Sequence, residues 1–291
     1  MNYAEIVKAV NEVLAQYTMP LTLRQIYYRL VAKLLIPNTV TCYKQLSHML
    51  VKARERGEID DSRIEDRSRN VLGTGDFGYE DFDNFLKERV ERFMDSWEYW
   101  TRTLWNNQQY DVIIAIEKDA LSRLFVDIAD RFRVKVFPTR GYGSYTYVKN
   151  MAENMNKTRS TIVLYYGDFD PSGRDIERDL GKRLGRYGVA DFNIIRIALT
   201  KEQIALYNLP PKPEDAATLA KLERDPRTKT YGMEYACELD ALEPTILQTL
   251  IETNIRDRID IDKWNEVLNK IREERETLKK KLEKVKITFE E

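Results

Sequence analysis

Apolar positions follow two rhythms along the chain. They are helical through residue 56 and strand-like, with helices between, from residue 112 onward. Residues 2–16 place Ile6, Val7, Val10, Val13 and Leu14 at helical spacing. After Met19-Pro20, Thr22 followed by Gln25 forms a capping-box signature, so a second helix is expected to start at Thr22 and to stop before Pro37. Within it Leu23, Ile26, Tyr27, Leu30, Val31 and Leu34 make one apolar stripe, which assigns Tyr27 to the core. Tyr28 lies off the stripe, four residues after Arg24 and on the same face. Two readings are open for that pair: an ordinary surface or interface aromatic, or a phenol that attacks a phosphate held by the arginine. A third helix is expected from about Thr39 to Arg56, carrying Tyr43, Leu46, Leu50 and Lys52, with Gly57 ending it. The polar segment 57–70 then reads as a short hairpin or wing. Three helices and a wing fit a helix-turn-helix or winged-helix module. Its phosphate contacts would be Arg54, Arg56, Arg63, Arg67 and Arg69, with a plain solvated face as the other reading.

Residues 71–79 hold three glycines and read as a flexible joint, and 80–105 read as a helix rich in Phe and Trp. From there strands and helices alternate: strand 112–116, helix 119–131, strand 134–137, helix 145–156, strand 161–166, helix 173–186 and strand 193–198. That order predicts a mainly parallel sheet with helices on both faces. The loop 139–145, with Arg140 in it, sits at a strand end, and its glycines suit a close phosphate approach or a tight turn. Residues 238–255 read as one helix. In the last stretch Trp264, Ile271, Leu278 and Val285 lie seven apart, as do Leu268 and Leu282, giving a heptad seam interrupted at Arg275. The seam pairs with a second chain or folds back on its own domain. The expected division is a small helical head (1–70), an acidic aromatic connector (71–110), an α/β domain (111–260) and a C-terminal helix (261–291).

Charge modifies this picture little. The formal net charge is −1, from 47 basic and 48 acidic residues, and so announces no nucleic-acid partner. Its distribution hints at one, since residues 1–70 are net basic and 71–110 net acidic. A single histidine, His48, and two distant cysteines, Cys42 and Cys237, exclude a Cys/His zinc centre and read as a reduced, cytoplasmic protein. No signal peptide or membrane-spanning stretch is read, and neither GxxxxGK[ST] nor GxGxxG occurs. Any ATP dependence therefore resides on another chain.

The candidate chemistry lies at two strand ends. The run 161–166 ends in Gly167, Asp168, Phe169, Asp170, Pro171, Ser172 and Gly173, and the run 112–116 ends in Glu117, Lys118 and Asp119. Side chains alternate across a strand, so Asp168 and Asp170 are expected on one side, with no cation adjacent to the pair. Ligands of open α/β sheets gather at the carboxyl ends of strands, which makes Glu117, Asp168 and Asp170 a candidate site for Mg²⁺, or Mn²⁺. Asp119 reads as a turn residue or helix cap.

Taken together, these motifs resemble a known family. Glu117 on one strand end and Asp168-x-Asp170 on a later one match the Toprim signature of topoisomerases, primases and some nucleases. An RxxYY helix (Arg24 to Tyr28) in a small head ahead of such a domain resembles the type IIB topoisomerase (topoisomerase VI) A subunit and the related meiotic double-strand-break protein. The IEKDA, DxDPxG, TRGYG and ELDAL segments share that resemblance, which spans about residues 20 to 255. It implies a winged helix plus Toprim fold, with Tyr28 as the nucleophile that leaves a 5′-phosphotyrosyl link. It further implies Arg24 as the phosphate clamp and Glu117, Asp168 and Asp170 on Mg²⁺; from the helical head and the 139–145 loop, Arg54, Arg56, Arg67 and Arg140 are expected on double-stranded DNA. A nucleoid-associated homodimer is expected, with an ATPase B-type subunit as a possible partner and the membrane excluded. The short head resembles compact stand-alone relatives. Two other classes stand beside this reading: a Toprim hydrolytic nuclease, in which Tyr28 is dispensable, and a non-catalytic DNA-binding assembly subunit.

Overall fold

In the computed structural model, residues 2–65, 78–79, 81–139, 141–155, 158–213, 224–231 and 236–285 are described. Arg67, Arg69, Arg140 and most of the glycine-rich joint lie outside them. The chain forms two compact units, one of Met1–Arg67 with Tyr110–Arg258, the other of Ser68–Gln109 with Ile259–Glu291.

The first unit opens with three helices, α1 (Tyr3–Leu14), α2 (Leu23–Ala32) and α3 (Val40–Glu55), together with a two-residue strand β1 (Leu21–Thr22). Helix α1 buries the five residues its spacing predicts, Ile6, Val7, Val10, Val13 and Leu14. Helix α2 starts where the capping box places it: Thr22 Oγ1 accepts from Gln25 N at 3.1 Å, and Gln25 Oε1 accepts from Thr22 N at 2.9 Å. It ends at Ala32, five residues before Pro37, because Leu34 turns into the left-handed region at φ 58°. Leu34 therefore leaves the apolar stripe and is 92% exposed. Of the segment 57–70, expected as a short hairpin or wing, only residues 57–65 are described, and among these no hairpin forms. Ile64–Glu65 (β2) pairs in parallel with Leu21–Thr22 instead. Buried Ile59 and Ile64 draw the segment into the head core, and the Arg63 guanidinium donates to Tyr17 O at 2.6 Å.

The rest of this unit is α/β, as the alternation predicts. Four strands, β3 (Asp111–Ile116), β4 (Lys135–Pro138), β5 (Thr161–Tyr166) and β6 (Phe192–Ala198), run parallel in the order β4-β3-β5-β6. Helices α5 (Ser122–Ala129), α6 (Tyr145–Asn154) and α7 (Pro171–Arg186) connect them. Ile113, Ala115, Val163 and Tyr165 meet Val148 and Met151 of α6 and Ile176, Leu180 and Leu184 of α7 in one core. The alternate positions face the other way, where Tyr166 packs edge-on to Phe125 of α5 at 4.8 Å.

Residues 238–255 are not one helix. The helix is Pro244–Arg256, capped by Glu243, because proline suits a first helical turn and holds the residue before it extended. Residues 236–241 form a separate segment before it, and this difference decides the site.

In the second unit the helix Ile261–Leu282 buries Trp264, Val267, Ile271 and Leu282. Part of the expected seam, Trp264, Ile271 and Leu282, is buried, while Leu268 and Val285 are exposed and Val267 is buried instead; on the aromatic connector Trp264 meets Trp105 edge-on at 5.5 Å and Lys279 lies over Trp97 at 4.8 Å. The break at Arg275 is itself a contact, since its Nε donates to Trp100 O at 2.8 Å. The connector helix runs only over Phe82–Met94 (α4), followed by a tighter turn at Asp95–Tyr99. None of the described helices is long and apolar enough to cross a membrane.

Thr22 both caps α2 and donates to Asp240 Oδ1 at 3.2 Å. Thr22→Ala is expected to cost about 1–3 kcal/mol, and Thr22→Ser to recover most of it. Thermal melts check this, at about 2–4 °C per ~1 kcal/mol for a unit of this size.

Candidate functional site: a carboxylate cluster at the sheet switch point

The strand order creates the site. From β3 the chain leaves through α5 toward β4, and from β5 it leaves through α7 toward β6, on opposite sides. The crevice between the carboxyl ends of β3 and β5 is therefore the topological switch point of the sheet. Ile116 is in register with Tyr166, so Glu117 follows one strand where Gly167 and Asp168 follow the other. Glu117 N donates to Tyr166 O at 2.9 Å, and Asp168 N donates to Glu117 Oε2 at 3.1 Å.

Glycine makes the room for this arrangement. A Cβ on Gly167 would stand 2.7 Å from Glu117 Oε2, and one on Gly173 would stand 2.5 Å from Asp168 O. No side chain fits at either position without moving the carboxylate or the backbone.

Asp170 is the N-cap of α7, where its Oδ1 accepts from Gly173 N at 2.7 Å and Pro171 occupies the first helical turn. One oxygen of Asp170 thus plays the ordinary structural role of a capping aspartate. Asp119 accepts from Ser122 Oγ at 3.2 Å in the turn that leads into α5.

A pair of residues not singled out from sequence completes the cluster. Phe169 and Cys237 form an isolated antiparallel bridge, with N–H to O distances of 2.8 and 2.9 Å in the two directions. This bridge carries Glu238 and Asp240 to the switch point, where Leu239 N donates to Asp168 Oδ1 at 2.8 Å. Both new acids are almost wholly buried, Glu238 at 3% and Asp240 at 1% exposure. Their signal in the sequence was the ELDAL segment, which entered the resemblance without either acid being assigned a role.

The expectation that no cation adjoins the aspartates is corrected. Lys118 Nζ lies 2.6 Å from Asp240 Oδ2, 3.6 Å from Asp168 Oδ2 and 3.6 Å from Glu238 Oε1. Lys212 Nζ stands 3.9 Å from Asp170 Oδ2 and 3.8 Å from Glu238 Oε1. Buried carboxylates need such partners, and local spacing in sequence does not reveal Lys212, which arrives from a distant loop.

The head joins this cluster through α2. Tyr28 Oη donates to Glu238 Oε2 at 2.9 Å, and Arg24 Nη1 donates to the same oxygen at 2.7 Å. Arg29 also donates to Ala241 O. The face that sequence left outside the core is thus covered by the α/β part of the same unit, and Tyr28 is fully buried. Tyr27 is buried as expected, its hydroxyl on Asn38 Oδ1 and Thr39 O. Arg54 and Arg56 take no part in the cluster: Arg54 pairs with Asp61 at 2.5 Å, and Arg56 lies over the ring of Tyr3 at 5.4 Å.

Electrostatics follow from this crowding. Burial, then the charges of Asp168 and Asp170, push Glu117 up to about 8. Asp168 is raised by burial and by Glu238 and Asp240, with Lys118 opposing. Burial works against the Lys118 ammonium, yet Asp240, Asp168 and Glu238 raise its pKa overall. Burial and the Glu238 carboxylate hold the Tyr28 phenol well above its ordinary value, so it is a protonated donor.

The residues available to a metal are Glu117, Asp168 and Asp170. They are not drawn into a closed cage, and among the described residues no three His, Cys, Asp or Glu side chains form a ready metal-binding group. Their chemistry nevertheless fits a hard divalent cation. All three offer oxygen, and Glu117 has no ion-pair partner among the described residues while burial and its acidic neighbours press on it.

With its folded pKa above the unfolded value, Glu117 stabilises the fold fully below about pH 4.5, and this contribution is lost as pH rises through about 8. In chelator, Glu117→Gln should melt close to the native chain at pH 5 and above it at pH 9. Melting curves across that range test this, and a gap that stays constant with pH contradicts it.

Compared with known proteins, the chain matches no protein-family model and no curated protein.

Proposed function

We propose that the chain is a DNA-cleaving transesterase of the topoisomerase VI A-subunit kind, with a winged-helix-like head and a Toprim domain. The observation that carries this reading is the hydrogen bond from Tyr28 Oη to Glu238 Oε2, within the cluster that holds Asp168 through Lys118. A phenol has a pKa of about 10 in water and attacks slowly unless its proton is taken. In the closed arrangement Glu238 Oε2 holds both the phenol and the Arg24 guanidinium; once α2 parts from residues 238–241, Arg24 can turn to a phosphate and a carboxylate of the other copy can take the phenol proton.

In the reaction the Tyr28 oxygen bonds to a backbone phosphorus, the bond from phosphorus to the 3′ oxygen breaks, and that oxygen takes a proton from solvent. The product is a 5′-phosphotyrosyl link with a free 3′ hydroxyl, and no water is consumed. A Mg²⁺ or Mn²⁺ ion held by Glu117, Asp168 and Asp170 would supply positive charge for the phosphate oxygens. Double-stranded DNA is the substrate. In a homodimer each tyrosine meets the carboxylates of the other copy, and an ATPase B-type chain supplies any nucleotide dependence.

Full burial of Tyr28 closes it to phosphate in this arrangement. Attack therefore requires α2 to part from residues 238–241. The same burial favours a second reading, a hydrolytic nuclease in which Tyr28 is structural and water attacks.

A denaturing-gel test for protein–DNA adducts with Mg²⁺ or Mn²⁺ separates the two. The transesterase gives an adduct on DNA 5′ ends that Tyr27→Phe retains and that Tyr28→Phe and Asp168→Asn lose to background. Free ends that persist in Tyr28→Phe identify the nuclease and overturn the proposal.

A further inference from the structure

Lys118 has a place in this cluster that the proposed chemistry does not use. Its ammonium stands among three carboxylates on two segments, the 236–241 stretch and the end of β5, at 2.6 Å from Asp240, 3.6 Å from Asp168 and 3.6 Å from Glu238. Lys118 Nζ is within hydrogen-bond reach of Asp240 Oδ2 and faces Asp168 and Glu238 at longer range, so one compact, buried ammonium serves all three carboxylates, as a metal ion in the same place would.

Formal charge at the switch point gives this a consequence. The acids there are Glu117, Asp168, Asp170, Glu238 and Asp240. The cations that reach them among the described residues are Lys118, Lys212 and Arg24. With all five carboxylates ionised, as a bound cation requires of its ligands, the three cations leave an excess of two negative charges, which one divalent ion neutralises. A second divalent ion would leave the native cluster two charges positive in a buried setting, at high cost, and would have to enter the place that Lys118 already fills.

We infer that Lys118 is a built-in cation that occupies the position of a second metal ion, so that the site takes one divalent ion, on the Glu117, Asp168 and Asp170 side. Lys118 is on this account a positioning residue: it holds Glu238 and Asp240 at the switch point and leaves only one side of Asp168 open to an ion. The inference rests on the metal reading proposed above and adds the stoichiometry to it.

Counting Mn²⁺ per chain by calorimetric titration and by electron paramagnetic resonance tests this on the full chain, without DNA. The native protein is expected to bind one ion. Lys118→Gln raises the excess to three negative charges and opens the space beside Asp240, so that a second ion leaves one net positive charge instead of two, and it is expected to bind two. Lys118→Arg keeps the charge and should stay at one. Because Lys118→Gln leaves buried acids unpaired and risks unfolding, Lys118→Gln with Asp240→Asn serves as the charge-matched variant. It restores the excess of two and is expected to return to one ion. Two ions in the native chain, one in a folded Lys118→Gln, or two in the charge-matched variant each overturn the inference while leaving the metal reading intact. No ion in any of the four proteins overturns the metal reading, and the inference with it.

Discussion

The structure of the first unit depends on the burial of like charges at one point. Asp168, Glu238 and Asp240 are each at most 7% exposed, and carboxylates so placed stay ionised only if cations come with them. Lys118, from the end of β3, meets all three. Arg24, from the head, meets Glu238. The strand end, the 236–241 segment and the head helix are thereby fastened to one another by charge, and none of them can leave without stranding a partner. Breaking such a set costs far more than its net contribution to stability, so it specifies one arrangement more than it strengthens it.

The acids are brought together by topology and admitted by glycine. Connections from β3 and β5 diverge to opposite edges of the sheet, which leaves their carboxyl ends facing an uncovered crevice. Gly167 and Gly173 leave the Glu117 carboxylate and the Asp168 backbone the space that any side chain would fill. The Phe169–Cys237 bridge then sets a second pair of acids beside the first with backbone hydrogen bonds, which need no particular side chain.

Tyr28 carries two demands that oppose each other. Held by Glu238 and sealed from water, it lends the head a buried polar contact and keeps the phenol protonated. As the nucleophile proposed above it would have to lose that proton and meet a phosphate. On that proposal the closed site protects the tyrosine from stray attack, and the work of opening it would fall to the substrate or to another chain, whose binding energy can be set against the lost contacts.

Much of the fold was legible along the chain. Periodicity alone located α1 to α3, the Thr22 cap and the alternation from β3 to β6, because these are set by contacts between near neighbours and by which face is apolar. Glu117, Asp168 and Asp170 were legible as well, since strand ends in an open sheet have a known use. What local pattern could not reach was pairing between distant segments. Ile64–Glu65 joined Leu21–Thr22 rather than its own neighbours, and the face of α2 bearing Tyr28 was covered by residues some 210 positions away. Lys118, Glu238 and Asp240 were given no role from sequence, and the fold buries them together. Sequence determined which segments are helices and strands and which acids end the strands. Only the tertiary structure decided which charges share a low-dielectric space, because desolvation depends on what else comes to lie beside a group and not on its neighbours in the chain.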